Sequence, residues 1–160
     1  MKTGSAIFEG DVLLRLTNDG AEICIEDELI CCDREFDTAV LLSLFGGNAE
    51  DDGTVEKRVG WWGNYTGEDG TKKMISRYQA ATYGKALTTN SAKEALEAAR
   101  LDLQWLIDEG VADDLEITGS IASVNRFDLS VTLLKNGAEI YKNTYALNWG
   151  MAQWHGKTKL

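Results

Sequence analysis

The chain has 160 residues, of which 44% are hydrophobic and 26% charged, enough to bury one core and ordinary for a soluble globular domain. A formal net charge of −10 argues against nucleic acid, which calls for a basic stripe, and against an anionic membrane surface. The opening MKTGSAIFEGD holds no apolar run of signal-peptide length, and no later run is long enough to cross a bilayer.

Three cysteines, Cys24, Cys31 and Cys32, make an odd count with two adjacent. That predicts no disulfide framework and a reducing, cytosolic place of assembly. The sole histidine, His155, lies far along the chain, and adjacent cysteines lack the two-residue spacing of a zinc knuckle. Buried thiols are expected, with no metal and no cofactor. Proline is absent, so Gly, Asn and Asp must make the turns.

In chain order, Val12 to Leu16 and Glu22 to Ile25 flank Asn18-Asp19-Gly20, which predicts an N-terminal β-hairpin. Asp33 or Asp37 can cap a helix through Thr38 to Phe45, ended by Gly46-Gly47. Asn48 to Val55 reads as a solvated acidic loop. Next comes KRVGWWGNYTG, residues 57–67, with adjacent indoles between glycines after a basic pair. Neighbouring residues on a strand or helix point to different sides, so one buried face cannot take both Trp61 and Trp62. Tryptophan and arginine are enriched at the energetic centres of interfaces, and the segment reads as a docking element. The competing interpretation puts one indole in the core and lays the other over a loop.

Lys72 to Tyr83 carries Met74, Ile75, Tyr78 and Ala81 at helical spacing. Ala92 to Glu109 is the strongest predicted helix, with a capping box from Ser91 and Glu94, a stripe of Leu96, Ala99, Leu103, Leu106 and Ile107, and Gly110 as the stop. Leu115, Ile117 and Ile121 alternate on one predicted strand, and Phe127, Leu129, Val131 and Leu133 on the next. Asn136-Gly137 turns the chain into a third strand, Ala138 to Trp149, placed at a sheet edge. The tail Met151 to Leu160 shows no periodicity. The whole is an α+β fold: one domain over residues 1–150, with an N-terminal β-hairpin, two or three helices and a C-terminal antiparallel sheet, then a tail over 151–160.

Nothing in the sequence assembles a nucleophile beside a base, a phosphate-cradling loop or a metal cage. Carboxylate pairs such as Asp51/Asp52 and Asp113/Asp114 are expected by chance among 26 acidic residues. The chain therefore reads as a non-enzyme. A carbohydrate- or peptide-binding module is the rival, because exposed indoles stack on sugars as well as on proteins. A lysozyme-like glycosidase stands behind it, because two acids in a cleft would suffice for that chemistry.

Three patterns in order, TAVLLSLFGG, KRVGWWGN and ALEAARLDLQWLIDEGVADDLEI, resemble the Mu-like bacteriophage baseplate protein family over roughly Asp11 to Trp149. Members carry a similar TAV-x-x-SLF helix, an RxGWWGD element and a helix closing in WL-x-x-DGVA. They are in turn similar to the wedge, or sheath-initiator, proteins of contractile tails. Arg58, Gly60, Trp61, Trp62 and Gly63 match the glycine-tryptophan element, and Trp105, Leu106, Asp108, Gly110, Val111 and Ala112 match the helix terminus. Asn64 stands where the family usually has Asp, GTKKMIS at 70–76 replaces a more apolar segment, and 79–89 looks longer than usual.

The resemblance implies a structural role in a virion baseplate, assembled in the host bacterial cytoplasm. Its partners would be other wedge proteins and the tail sheath, with tube or hub proteins as further candidates, in a sixfold ring. The implied protein-interaction residues are Arg58, Gly60, Trp61, Trp62, Gly63, Trp105, Asp108 and Gly110. Val131, Leu133, Ile140, Tyr145, Leu147 and Trp149 join them on the terminal sheet, which, chiefly through Asp128 to Lys135 and Glu139 to Asn148, would offer its edge to the sheath.

Overall fold

A computed structural model describes residues 11–17, 20–33, 36–46, 75–149 and 153–157. No described helix is long and apolar enough to cross a membrane. The chain divides into two compact units, Met1–Ala39 and Val40–Leu160. The described elements make an α+β fold, as the alternation of periods along the chain predicts.

The first unit is built from three short antiparallel ladders. β1 (Asp11–Val12) pairs with β6 (Cys32–Asp33), β2 (Leu14–Thr17) with β3 (Gly20–Ile23), and β4 (Ile25–Glu26) with β5 (Leu29–Ile30). Where they meet, the Leu13 amide donates to the Cys31 carbonyl (2.9 Å), the Cys31 amide to the Cys24 carbonyl (2.9 Å) and the Cys24 amide to the Leu13 carbonyl (3.0 Å). This ring of bonds pairs backbone groups that lie between ladders, so each ladder leans on the other two.

The β2–β3 hairpin is the expected one, with Thr17 opposite Gly20. The β4–β5 hairpin was not foreseen. Its two turn residues, Asp27 and Glu28, both have positive φ (50° and 64°), the geometry of a type I′ turn but without its usual Asn or Gly. Each such residue stores strain that glycine would not.

α1 (Asp37–Phe45) carries Asp37 in its first turn, where a carboxylate faces the helix's open amides. The Thr38 hydroxyl donates to the Val12 carbonyl at 2.7 Å. At the other end the Gly46 amide closes the last turn on Leu42 at 2.7 Å.

In the second unit, Val40, Leu41 and Leu44 of α1 are buried. Of the helix expected over 72–83, residues 72–74 lie outside the described residues, and Ile75 and Ser76 are not helical. α2 (Arg77–Thr82) starts where the Ser76 hydroxyl accepts the Gln79 amide. A hydroxyl that satisfies a first-turn amide competes with further helix, which is why α2 begins there. α3 (Thr89–Leu103) begins earlier than expected, and its box is built from other residues. Thr88 caps by accepting the Ser91 amide at 3.1 Å, and the Ser91 hydroxyl accepts the Thr88 amide at 2.8 Å. Glu94 plays no part in the box, because the serine that looked like the cap sits three residues inside the helix. α4 (Trp105–Asp108) continues past Gln104. Gly110 then takes the left-handed conformation (φ +69°) that ends it, with the Val111 amide returning to the Leu106 carbonyl at 2.9 Å.

β7 (Asp114–Ser123), β8 (Arg126–Lys135) and β9 (Ala138–Asn148) form the expected meander. Asn136 and Gly137 turn it with φ of 52° and 74°. One face buries Leu115, Ile117, Phe127, Leu129, Val131, Leu133, Tyr141, Tyr145 and Leu147, and α3 packs against the sheet at β7. Gly119 leaves the space that the Phe127 ring fills, and that ring meets Trp149 edge-on at 5.5 Å.

Two features of the sheet depart from expectation. A register shift after Leu133↔Tyr141 leaves Ile140 as the extra residue of a bulge, which resets the alternation of β9. And the tail contains β10 (Gln153–Lys157), which pairs antiparallel with β9 through Asn148, Leu147 and Tyr145. The sheet order is β10-β9-β8-β7, so the end of β9 expected to stand as an open edge has a neighbour.

Candidate functional site

The glycine-tryptophan element, Arg58, Gly60, Trp61, Trp62 and Gly63, lies outside the described residues, so the site is built from the remainder. At the end of the long helix, Trp105 is 37% exposed and its indole N–H donates to the Ser43 hydroxyl of α1 at 2.9 Å. Asp108 is exposed and accepts from the Gln104 amide at 3.1 Å. Lys135 reaches over from β8 to donate to the Gly110 and Val111 carbonyls, closing the helix's negative end with a cation. Lys135 thereby ties β8 to the helix terminus that carries Trp105, Asp108 and Gly110.

The sheet residues divide differently. Val131, Leu133, Tyr145, Leu147 and Trp149 are all buried, so their side chains fill the core, and Ile140 at the bulge is half-buried. Tyr145 also belongs to an aromatic group with Phe45 and Tyr78, at centroid distances of 6.4 Å and 5.6 Å from Phe45. The opposite face of these strands carries Asp128, Ser130, Thr132, Lys142 and Thr144.

Among the described residues, β10 covers β9 from Tyr145 to Asn148, while residues 138–143 have only β8 beside them. On the opposite side β7 has β8 as its one neighbouring strand among the described residues, and Arg100 of α3 donates to its Leu115 carbonyl at 3.2 Å. Its second half and the turn, residues 118–126, are exposed throughout, with Ile121 and Val124 projecting apolar side chains, the latter 87% exposed. The β4–β5 hairpin of the first unit, with the end of β3 before it, is a second apolar region: Ile23 of β3 and Ile25, Leu29 and Ile30 of the hairpin are all exposed. Sequence inspection missed both. The β4–β5 run EICIEDELICC has no glycine or asparagine to announce a turn, and nothing in β7 marks it as an edge strand.

The buried polar groups serve the scaffold. Asp102 on α3 is almost wholly buried, pairs with Arg77 at 3.0 Å and accepts the Tyr78 amide at 2.8 Å, fastening the start of α2. Burial pushes its carboxyl above the ordinary range, against the pull of the Tyr78 and Arg77 hydrogen bonds. Burial likewise raises the Tyr78 phenol. A perturbed carboxyl often marks catalysis, but here both oxygens are taken up in fastening one helix to another. A shallow depression at the far end of the sheet is lined by Ser123, Asn125, Arg126, Leu147 and Asn148. Cys24, Glu26 and Cys31 bring three metal-ligating atoms within 4.8 Å of one another.

Residues 36–139, well over half the chain, match the model of the family described as Phage protein GP46. The chain belongs to that phage protein family. The matched span runs from the start of α1 into β9, and so takes in the glycine-tryptophan element, the helices and the open strand β7. The chain is also similar to the Mu-like prophage FluMu protein gp46 of Haemophilus influenzae, 27% identical over 148 residues, with 88% of this chain and 98% of the relative covered. The Mu-like phage relationship expected from the three sequence patterns therefore holds. No solved structure matches the chain.

Proposed function

We propose that this GP46-family protein is a structural, non-enzymatic part of a contractile tail baseplate, a wedge or sheath-initiator subunit that links wedge proteins to the first ring of sheath. The observation that carries this reading is the edge of β7, which among the described residues has no strand beside it and ends in an exposed hairpin tip. An open edge lets another chain add a strand through backbone bonds, a joint that makes few demands on side-chain identity and suits a template for polymerisation. The burial of Val131, Leu133, Tyr145 and Leu147 supports backbone rather than side-chain recognition at this sheet. The helix terminus around Trp105, with the glycine-tryptophan element, would take the wedge side. A net charge of −10 favours basic partners. Copies in a sixfold ring would multiply modest contacts through effective concentration.

Co-purification from particle-producing cells tests the role: wedge and sheath proteins should accompany the tagged chain in fixed ratio. The paired substitution Ile121→Lys and Val124→Lys should preserve folding and wedge association yet stop sheath growth, because charges on an edge strand block strand addition. Full-length sheaths on tails carrying that double variant, or a chain absent from purified tails, would refute the proposal.

A further inference from the structure

We propose that Cys24, Glu26 and Cys31 bind one thiophilic divalent cation of the zinc class at the junction of the three N-terminal ladders. The backbone places the ligands. Extending the β4–β5 register one step beyond Ile25↔Ile30 sets Cys31 opposite Cys24, and the Cys31 amide donates to the Cys24 carbonyl at 2.9 Å. Alternation along the strand puts Glu26 on the same side as Cys24, with Ile25 on the other. The two sulfurs are 3.1 Å apart, and Glu26 Oε1 is 3.9 Å from Cys24 Sγ. Sulfurs bonded to one tetrahedral zinc at about 2.3 Å stand roughly 3.7 Å apart, so a small outward rotation of either thiol completes the geometry.

A disulfide is the other way to use two such thiols, and Glu26 decides between them. A disulfide makes no use of the carboxylate beside the pair, whereas a metal takes it as a third ligand. Thiolate donors select zinc-class ions over magnesium and calcium, which take oxygen ligands in larger number. Cys24 is buried, Cys31 half-buried and Glu26 exposed, so the group opens to solvent on one side and leaves a fourth position for water or for a donor from a partner. On binding, both thiols release their protons to solvent, two metal–sulfur bonds and one metal–oxygen bond form, bound water leaves, and the metal keeps its oxidation state.

The physical motive is the small core around the ligands. Ladders of two to four residues with Ile23, Ile25, Leu29 and Ile30 exposed bury little apolar surface, and a metal is one of the few ways so small a unit gains stability. The site lies in residues 24–31, outside the span matched by the family model, so it belongs to this chain's N-terminal ladders rather than to the matched core.

The test is titration of the reduced, metal-free full-length protein with cobalt(II), excluding oxygen. Thiolate-to-cobalt charge-transfer absorption should saturate at about one equivalent, vanish on adding zinc and release two protons per metal. Cys24→Ser and Cys31→Ser should each weaken zinc binding by on the order of a hundredfold and Glu26→Gln by about tenfold, while Cys32→Ser stays near wild type. If the Cys24 and Cys31 variants fail to fold, the contrast between Glu26→Gln and Cys32→Ser decides the matter. No saturable cobalt uptake, uptake indifferent to Glu26, or a Cys24–Cys31 disulfide that forms in preference to zinc binding would overturn the assignment.

Discussion

The two units solve the same problem with different means. The second packs α1, α2, α3 and one face of a sheet around Phe127, Leu129, Val131, Leu133, Tyr78 and Tyr145, all nearly inaccessible to water. Its ladders run to ten residues, and each inward side chain of β8 is supported by neighbours on both adjoining strands. The first unit has ladders of two to four residues, two turn residues in strained conformation and an apolar hairpin facing solvent. Core burial holds one unit, whereas the other depends on a ring of backbone bonds and on what it binds. Long ladders with a covered face make a platform, and short ladders with an uncovered face are suited to completion from outside.

The contrast can be broken most directly in the core. Leu133→Ala should cost about 3 kcal/mol, since a fully buried leucine on a central strand leaves a cavity its neighbours cannot fill. Chemical denaturation measures this, and a loss below about 1 kcal/mol would show that the sheet face is loosely packed.

A smaller effect is expected at Asp102, where Asp102→Asn keeps the Tyr78 contact and loses the ion pair, but relief of the buried charge offsets that loss, so the change near neutral pH should stay within about 1 kcal/mol. Its pH dependence is more telling. The folded carboxyl binds its proton more tightly than the ordinary value of 3.8, so the folded state holds more proton just above that pH. Stability contributed by Asp102 is therefore greatest below that value and falls as pH rises through the folded pKa. Asp102→Asn should remove that decline. Parallel unfolding curves of both proteins from pH 3 upward read the difference, and a wild type that gains stability relative to the variant over that window would show the ion pair outweighing desolvation.

The smallest effect probes the other unit. Glu28→Gly should stabilise the β4–β5 hairpin by up to about 1 kcal/mol, because glycine takes φ of 64° without a clash. Amide exchange at Ile25 and Ile30 should slow accordingly. Unchanged or faster exchange would mean that the turn does not limit this ladder.

Much of this was legible in the chain. Asn136-Gly137 and Gly110 mark places where the backbone turns left-handed, and period-two alternation from Phe127 to Leu133 fixes the inner face of β8. The β4–β5 turn was not, because Asp27 and Glu28 enter the left-handed region only under pairing on both sides. The capping box was misplaced by three residues because Ser91 satisfies the same pattern as Thr88. Of the interface candidates, Trp105, Asp108 and Gly110 came from the family resemblance and lie at a helix end, whereas Ile121 and Val124 carry no signature of an edge. Exposure depends on which strand lies next door, and that information is not local.

Sequence by itself determined the period of each element, the glycine-bearing turns and the Mu-like phage kinship, since these rest on neighbours along the chain and on motif order. Tertiary structure alone decided that the tail returns as β10 beside β9, that Ile140 is a bulge, and that two thiols and a carboxylate converge at the ladder junction. Each of those depends on residues brought together by pairing between strands, where the backbone bonds that fix register are the same for almost every side chain.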